Sequence, residues 1–294
     1  MAISFLVSGE FSGTNANINV AVNQHFTTAG VALPAAGLQV GDTIIVSLGR
    51  GSIGATTPSV PTAGVDTSAF TALTAAIFGD DSFDVTLRLF AAKVTSIPAL
   101  NSTTLYTING SGNTANNQAI ITHILRGVDF DNLIALTGGA SVTTAAPANP
   151  NTSVPNPPSN TPTVAGSFIL CAGAGGSSAA QNAHTVPTGL SATTNHFRAM
   201  NNTSSGTNRV QTSAGIKTDW ASGAFDCPAF PGGSSAATSS WAAATLVIPP
   251  LVIGGKMKVW SGSAWVEKPV KVWTGSAWVE KPLKVWNGSA WVLS

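Results

Sequence analysis

The feature that most constrains this chain is a 13-residue unit that occurs three times in succession within residues 256–294. Its common core reads Lys-Val-Trp-x-Gly-Ser-Ala-Trp-Val. A chain that reverses at the Gly-Ser step forms a two-residue loop, and glycine at its first position suits a type II′ turn. Each unit is therefore predicted to be a small β-hairpin with one tryptophan on each strand. The expected cross-strand pairs are Trp260 with Trp265, Trp273 with Trp278, and Trp286 with Trp291.

Charged residues continue the same register outward from the tryptophans. Lys258 faces Glu267 and Lys271 faces Glu280, whereas the third copy ends at Leu293 and has no such pair. Because side chains alternate along a strand, the indoles and charge pairs are expected on one face and the valines on the other. A proline follows each of the first two copies and ends its strand.

A hairpin of this size is only marginally stable in water, so the six tryptophans require a surface to pack on: each other, the sandwich, other subunits or a ligand. In the first interpretation they form the small core of stacked hairpins, and three chains associate as a homotrimer. In the alternative interpretation they are aromatic platforms for a host glycan or receptor. The two interpretations are compatible if the outer edges of the hairpins stay exposed.

Upstream of the repeats, short β-type runs alternate with clusters of Gly, Asn, Ser and Pro. Only 9% of the residues are charged, against roughly 25% in an average protein, and small polar residues suited to strands and turns replace them. This predicts an all-β protein: an antiparallel, jelly-roll-like β-sandwich followed by three short hairpins. The predicted strands are Thr43–Leu48, Val85–Leu89, Thr103–Ile108, Ala119–Leu125, Gly166–Ala172, Leu190–Met200, Arg209–Lys217 and Trp241–Ile248.

Three local patterns refine this prediction. Val85–Leu89 and Arg209–Lys217 alternate apolar and polar residues, which is typical of strands buried on one face. The loop 109–113 is expected to join its flanking strands as a hairpin. Residues 146–163 contain six prolines and are predicted to be a long exposed connection between two halves of the sandwich, with a domain boundary as the alternative. The domain assignment is residues 1–250 for the sandwich, 251–255 for a linker and 256–294 for the hairpins.

No catalytic, cofactor-binding or metal-binding motif is recognisable. The glycine-rich run Gly173–Ser177 matches neither a dinucleotide fingerprint nor a Walker loop. Asp80, Asp81 and Asp84 are expected to lie in a solvated turn, with a calcium site as the less favoured alternative. The histidines lack the spacing of a metal site or a catalytic pair, and His123 is expected to be a core or interface residue. They are His25, His123, His184 and His196.

The chain has two cysteines, Cys171 and Cys227. Cys171 is predicted to be a small core residue, and a disulfide with Cys227 is left open.

The chain has seven Lys or Arg and ten acidic residues before residue 256, then six Lys and two Glu. This density is too low for a nucleic-acid partner. The N-terminus does not have the pattern of a signal peptide, and no apolar stretch is long enough for membrane insertion.

Several of these runs resemble a β-sandwich domain of minor tail and other virion proteins of tailed bacteriophages. The resemblance rests mainly on Gly41–Val46, Leu87–Val94, Ile120–Asp129, Phe168–Ala172 and Ala242–Pro249, and the step Arg126-Gly127-Val128-Asp129 is its most telling part. The repeats resemble the Trp-Asn/Thr-Gly-Ser-Ala-Trp-Val units at the ends of phage structural proteins.

The resemblance implies a non-enzymatic, multi-copy virion component that contacts other virion proteins. It would be made in the host cytoplasm and released by lysis. A tail or fibre-associated protein with a role in host attachment is the leading hypothesis, and a head decoration or head-fibre protein is the alternative. A carbohydrate-binding or polysaccharide-degrading protein is the hypothesis from a different functional class.

Overall fold

The chain divides into two units, Ala2–Pro250 and Leu251–Ser294, here called the body and the tail. The computed structural model describes residues 3–14, 18–21, 38–52, 57–64, 66–79, 84–96, 104–108, 117–147, 152–185, 187, 196–201, 209–221, 223–234, 239–251, 256–281, 284–286 and 291–293. Residues 252–255 of the predicted linker and the loop 109–113 lie outside these ranges.

The described part of the body contains fourteen strands and one short helix. The bounds are β1 Ser4–Thr14, β2 Ile18–Ala21, β3 Thr43–Ser52, β4 Thr62–Ala63, β5 Thr71–Ala72, β6 Ile77–Gly79, β7 Asp84–Lys93, β8 Thr104–Ile108, β9 Asn117–Arg126, α1 Phe130–Ala135, β10 Ser141–Ala145, β11 Ser167–Ser177, β12 His196–Asn201, β13 Arg209–Trp220 and β14 Ser239–Ile248. The tail strands are β15 Lys256–Trp260, β16 Trp265–Pro269, β17 Lys271–Trp273, β18 Trp278–Glu280, β19 Lys284–Trp286 and β20 Trp291–Leu293.

Two main antiparallel sheets form the body, which confirms the predicted all-β sandwich. The first has the order β1-β9-β3-β7-β5, with β6 also paired to β7, and the second has the order β10-β14-β11-β13-β12. A small third sheet, β2-β8-β4, accompanies the first. Each main sheet takes its strands from one half of the body sequence, whereas the strands of a jelly roll alternate between its two sheets. The chain passes from one sheet to the other between β9 and β10, before the proline-rich segment.

The core between the two sheets is made of aliphatic side chains that alternate along the strands, among them Leu87 and Leu246. The sheets approach closely at Gly49, where a Cβ would collide with Thr212 Oγ1 and lie 3.1 Å from Ala174 Cβ. Thr212 uses this space to donate a hydrogen bond of 2.8 Å to the carbonyl oxygen of Ala119, across the sandwich. Glycine on one sheet therefore makes room for a polar contact with the other.

The first sheet is also covered on its outer face, by Leu105, Tyr106 and Ile108 of β8. The prediction that β7 is buried on one face only was therefore wrong, and Thr86 is fully buried. The prediction of a hairpin between β8 and β9 was wrong as well. The two strands lie in different layers, and the Tyr106 hydroxyl hydrogen-bonds Thr122 of β9 between them.

The outer face of the second sheet is covered by the proline-rich segment, residues 152–163, called the strap. An antiparallel backbone ribbon joins the strap to residues 223–234: the Phe230 amide donates to Pro155 at 2.9 Å, and Asn160 and Phe225 exchange two hydrogen bonds. Prolines suit this segment because a proline has no backbone N–H and takes part in a backbone hydrogen bond only through its carbonyl oxygen. The strap was expected to be exposed, but Ser153 and Asn160 are buried. It joins β10 to β11, two strands of the same sheet, and does not join the two halves.

Under the strap, β11 presents the glycines of the run Gly173–Ser177. A Cβ at Gly173 would collide with Pro155, and one at Gly175 would collide with the Ser153 backbone. These glycines are therefore needed for the strap to lie against the strand. The same side of the second sheet carries a disulfide between Cys171 and Cys227, whose Cα atoms are 6.3 Å apart. Arg209–Lys217 is covered on this side too, so the prediction that it is half-buried was wrong.

Candidate functional site

The tail hairpins have the register that the repeat predicts. Trp260 is paired with Trp265, Trp273 with Trp278 and Trp286 with Trp291. The three hairpins are separate two-stranded sheets. In the first two the indole rings pack edge to face or tilted, with centroids 5.7 and 5.6 Å apart and interplanar angles of 62° and 54°. Pairs of this geometry contribute roughly 0.5–1.5 kcal/mol beyond the area that they bury.

A side-chain hydroxyl closes each of the first two loops. The Ser261 amide donates to the Ala264 carbonyl at 2.8 Å, as a narrow hairpin pair requires. Ser261 Oγ accepts from the Ala264 amide at 3.1 Å and donates to the Ala264 carbonyl at 2.9 Å. Thr274 and Ala277 repeat both side-chain contacts. Gly262 and Gly275 adopt φ of +100° and +97°, which glycine tolerates without steric cost.

The loop-closing role of this residue was not predicted from the sequence. The residue before the Gly-Ser step varies among Ser261, Thr274 and Asn287, and all three types carry a short polar side chain that bonds nearby backbone. This restriction to short polar side chains is the sequence pattern from which the loop-closing contacts could have been predicted. Asn287 itself lies outside the described residues.

The tryptophan face of the described tail is exposed although it is strongly apolar. Trp260 and Trp273 are 53% and 51% exposed, and Trp265 and Trp278 are 66% and 65% exposed. Three of the four described valines of the opposite face are also exposed, with Val272 at 48%, and Val266 is partly buried. Each of these four tryptophans packs on its cross-strand partner and still leaves more than half of its surface open. Exposed aromatic surface of this kind marks a site of interaction.

Charged residues flank the tryptophans, as the repeat predicts. Lys271 Nζ lies 3.8 Å from Glu280 Oε1 beside the second Trp pair. Both side chains are half exposed or more, so the ion pair contributes little to stability and serves to mask charge. Lys258 and Glu267 occupy the same register, and in the third hairpin Lys284 is opposite Leu293. An aromatic centre with a charged margin is the usual composition of a protein interface.

Comparisons of the chain with protein-family models, with curated proteins and with solved structures found no match.

The body offers a second, weaker candidate, an open pocket of about 390 Å³ beside the strap. Its lining is uncharged, and much of its hydrogen-bonding capacity is used internally. Asn182 and Gly233, for example, exchange two backbone hydrogen bonds of 3.0 and 2.9 Å. The lining residues are Thr152, Val154, Ala180, Asn182, Gly232, Gly233 and Ser234.

A buried histidine lies next to this pocket and is used structurally. His184 Nε2 is 2.8 Å from the Ser153 carbonyl oxygen, and Nδ1 is 2.7 Å from Ser213 Oγ. Since a carbonyl only accepts, Nε2 carries a proton and the ring ties the strap to β13. His123 is fully buried in β9, with its ring edge-on to Phe5 at 6.1 Å, which agrees with the predicted core position.

The structure describes only some of the other residues that the sequence singles out. Asp80, Asp81 and His25 lie outside the described residues, and the side chains of Asp84 and His196 are not described either. Within the described ranges, no group of three His, Cys, Asp or Glu side chains is arranged to hold a metal ion. Among those same residues, no helix combines the length and apolar character needed to cross a membrane.

Proposed function

We propose that this chain is a non-enzymatic structural protein of a bacteriophage particle, associated with the tail or its fibres. The exposed tryptophan face of the hairpins carries the proposal. Two described Trp pairs leave more than half of each indole exposed on ribbons that are too small to be stable alone. Such a segment suits an assembly element that contacts other virion proteins, and its exposed edges suit attachment to a host glycan or receptor.

The body supports the same role. Both main sheets are covered on both faces, and the disulfide joins the central strand β11 to the segment that covers it. A body with covered sheets and a disulfide, followed by a repeated aromatic tail, suits a structural component of a virion. The sequence resemblance to phage tail proteins points the same way. The protein would be made in the host cytoplasm and leave by lysis as part of the virion.

Removing residues 256–294 from the phage gene tests the proposal. We expect particles that lack the protein or that adsorb poorly to the host, measured by mass spectrometry of purified particles and by adsorption rate. Normal protein content together with normal adsorption would contradict the assembly and attachment roles. Electron microscopy of labelled particles then separates a tail position from the head position of the alternative hypothesis.

The exposed indoles also favour carbohydrate binding as a second candidate function, because aromatic faces stack on sugar rings. Incubating the purified chain with host surface polysaccharide tests it. Retention of the polysaccharide without cleavage would support an adhesin, and release of fragments would overturn the proposal that the protein is not an enzyme.

A further inference from the structure

We infer that the occupant of the tryptophan face is a second copy of this chain, so that the tails associate through their Trp pairs. This inference rests on the proposed assembly role and names its partner. Three observations on the described tail favour a protein partner of the same kind over a sugar.

The first observation is the area of the exposed aromatic surface. A tryptophan buries up to about 250 Å² when fully covered, so the four described indoles leave on the order of 500 Å² open. The third hairpin carries the same pair in the same register. A standard protein interface takes roughly 800 Å² from each partner, so the four described indoles already offer more than half of that area.

The second observation is the use of the neighbouring polar groups. A sugar site needs hydrogen-bonding groups beside its aromatic platform. The hydroxyls of Ser261 and Thr274 are engaged with the backbone of their own loops, and Lys271 is paired with Glu280. At the second Trp pair the face therefore presents aromatic surface beside a charge pair that is already satisfied, which matches the apolar core and polar rim of a protein interface.

The third observation is stability. Each hairpin is a separate two-stranded sheet, and a ribbon of that size needs a surface that covers it permanently. A copy of the same chain is present wherever the tail is made. An equivalent Trp pair is self-complementary, since edge-to-face contacts can extend from one pair to the next.

The test uses the full chain and measures its mass in solution by sedimentation equilibrium. The wild-type chain is expected at a multiple of its 29.6 kDa mass. Combining Trp260→Ser with Trp273→Ser is expected to return it to the monomer, whereas Trp260→Phe with Trp273→Phe keeps an aromatic face and the oligomer. The matched control combines Val259→Thr with Val272→Thr on the opposite face and is expected to remain associated.

A wild-type chain that is monomeric up to its solubility limit would overturn the inference, as would serine variants that associate like the wild type. Acrylamide quenching of tryptophan fluorescence provides a second measurement, because association shields the tail indoles and dilution exposes them. Quenching that is independent of concentration would also count against the inference. A monomeric chain that is still present in purified particles would overturn this inference alone, whereas an oligomer absent from particles would overturn the proposed function alone.

Discussion

Arg126 at the end of β9 forms a two-point ion pair with Asp42, just before β3, through Nε–Oδ1 and Nη2–Oδ2 distances that are both 2.8 Å. Asp42 is almost completely buried, and it also accepts a hydrogen bond from the Gln39 amide. The hydrogen bonds to this carboxylate raise the pKa of the Arg126 guanidinium. The pair links two of the sequence runs that carry the resemblance to phage proteins.

Replacing Arg126 by Met is expected to destabilise the body by about 3 kcal/mol, because it leaves the buried Asp42 carboxylate without its partner. Asp42→Asn should cost less, since the partly exposed guanidinium that remains can be hydrated. Urea unfolding monitored by circular dichroism measures both free energies. Equal losses, or a loss of less than about 1 kcal/mol for Arg126→Met, would show that the carboxylate is solvated.

Tyr106 is the chain's single tyrosine, and its pKa is raised by burial, which outweighs the hydrogen bond to Thr122. In the unfolded chain the phenol ionises near its ordinary pKa of about 10. Above that pH the unfolded state therefore loses a proton that the folded state retains, so stability falls as pH rises. Tyrosinate absorbance is expected to appear only together with unfolding. Ionisation of Tyr106 in the folded protein near its ordinary pKa would contradict its burial.

Loss of the disulfide is expected to destabilise the body by about 4 kcal/mol, because Cys171 and Cys227 close a loop with a sequence separation of 56. Cys171→Ala, Cys227→Ala and the double variant should lose similar free energies, since each removes the same link. Urea unfolding under non-reducing conditions measures them. Additive losses would mean that the two side chains contribute through packing only.

Thr274→Ala is expected to destabilise the second hairpin by about 0.5 kcal/mol, because it removes the hydroxyl that closes the loop. Thr274→Ser should have little effect, since Ser261 performs the same role in the first hairpin. The far-ultraviolet exciton signal of paired indoles, followed against temperature, reports the change. An equal loss for the serine variant would assign the effect to the methyl group and not to the hydroxyl.

The hairpin register could be predicted from the sequence because it is local. Trp260 and Trp265 are separated by four residues, and the glycine of the loop fixes which residues face each other. The all-β class and most central strands were predicted from the same kind of short-range pattern. Six strands of the body were not predicted: β1, β2, β10 and the short strands β4, β5 and β6.

The covering layers could not be predicted, because they depend on contacts between distant segments. Thr86 alternates with leucines and looks solvent-facing, yet the layer that contains β8 covers its side of the first sheet. The prolines of the strap rule out a central strand, but only the glycines of β11 reveal that the strap lies flat on it. The same limit applies to Cys171 and Cys227, whose pairing depends on the path of the strap.

The motif Arg126-Gly127-Val128-Asp129 has a structural explanation at every position. Arg126 forms the ion pair, Gly127 adopts φ of +80°, and Val128 is buried and bridges to Pro250. The Asp129 carboxylate accepts a hydrogen bond from the Asn132 amide at the start of α1. The most telling part of the resemblance therefore describes how the chain passes from one sheet to the other.

Each tail hairpin completes its strand pairing within its own repeat, since β15 pairs only with β16, β17 with β18 and β19 with β20 in the described tail. An in-frame duplication or deletion of one repeat in the gene would therefore change the number of hairpins without altering any existing strand pair. Such a change would lengthen or shorten the tail by whole hairpins and leave the sequence of the body as it is.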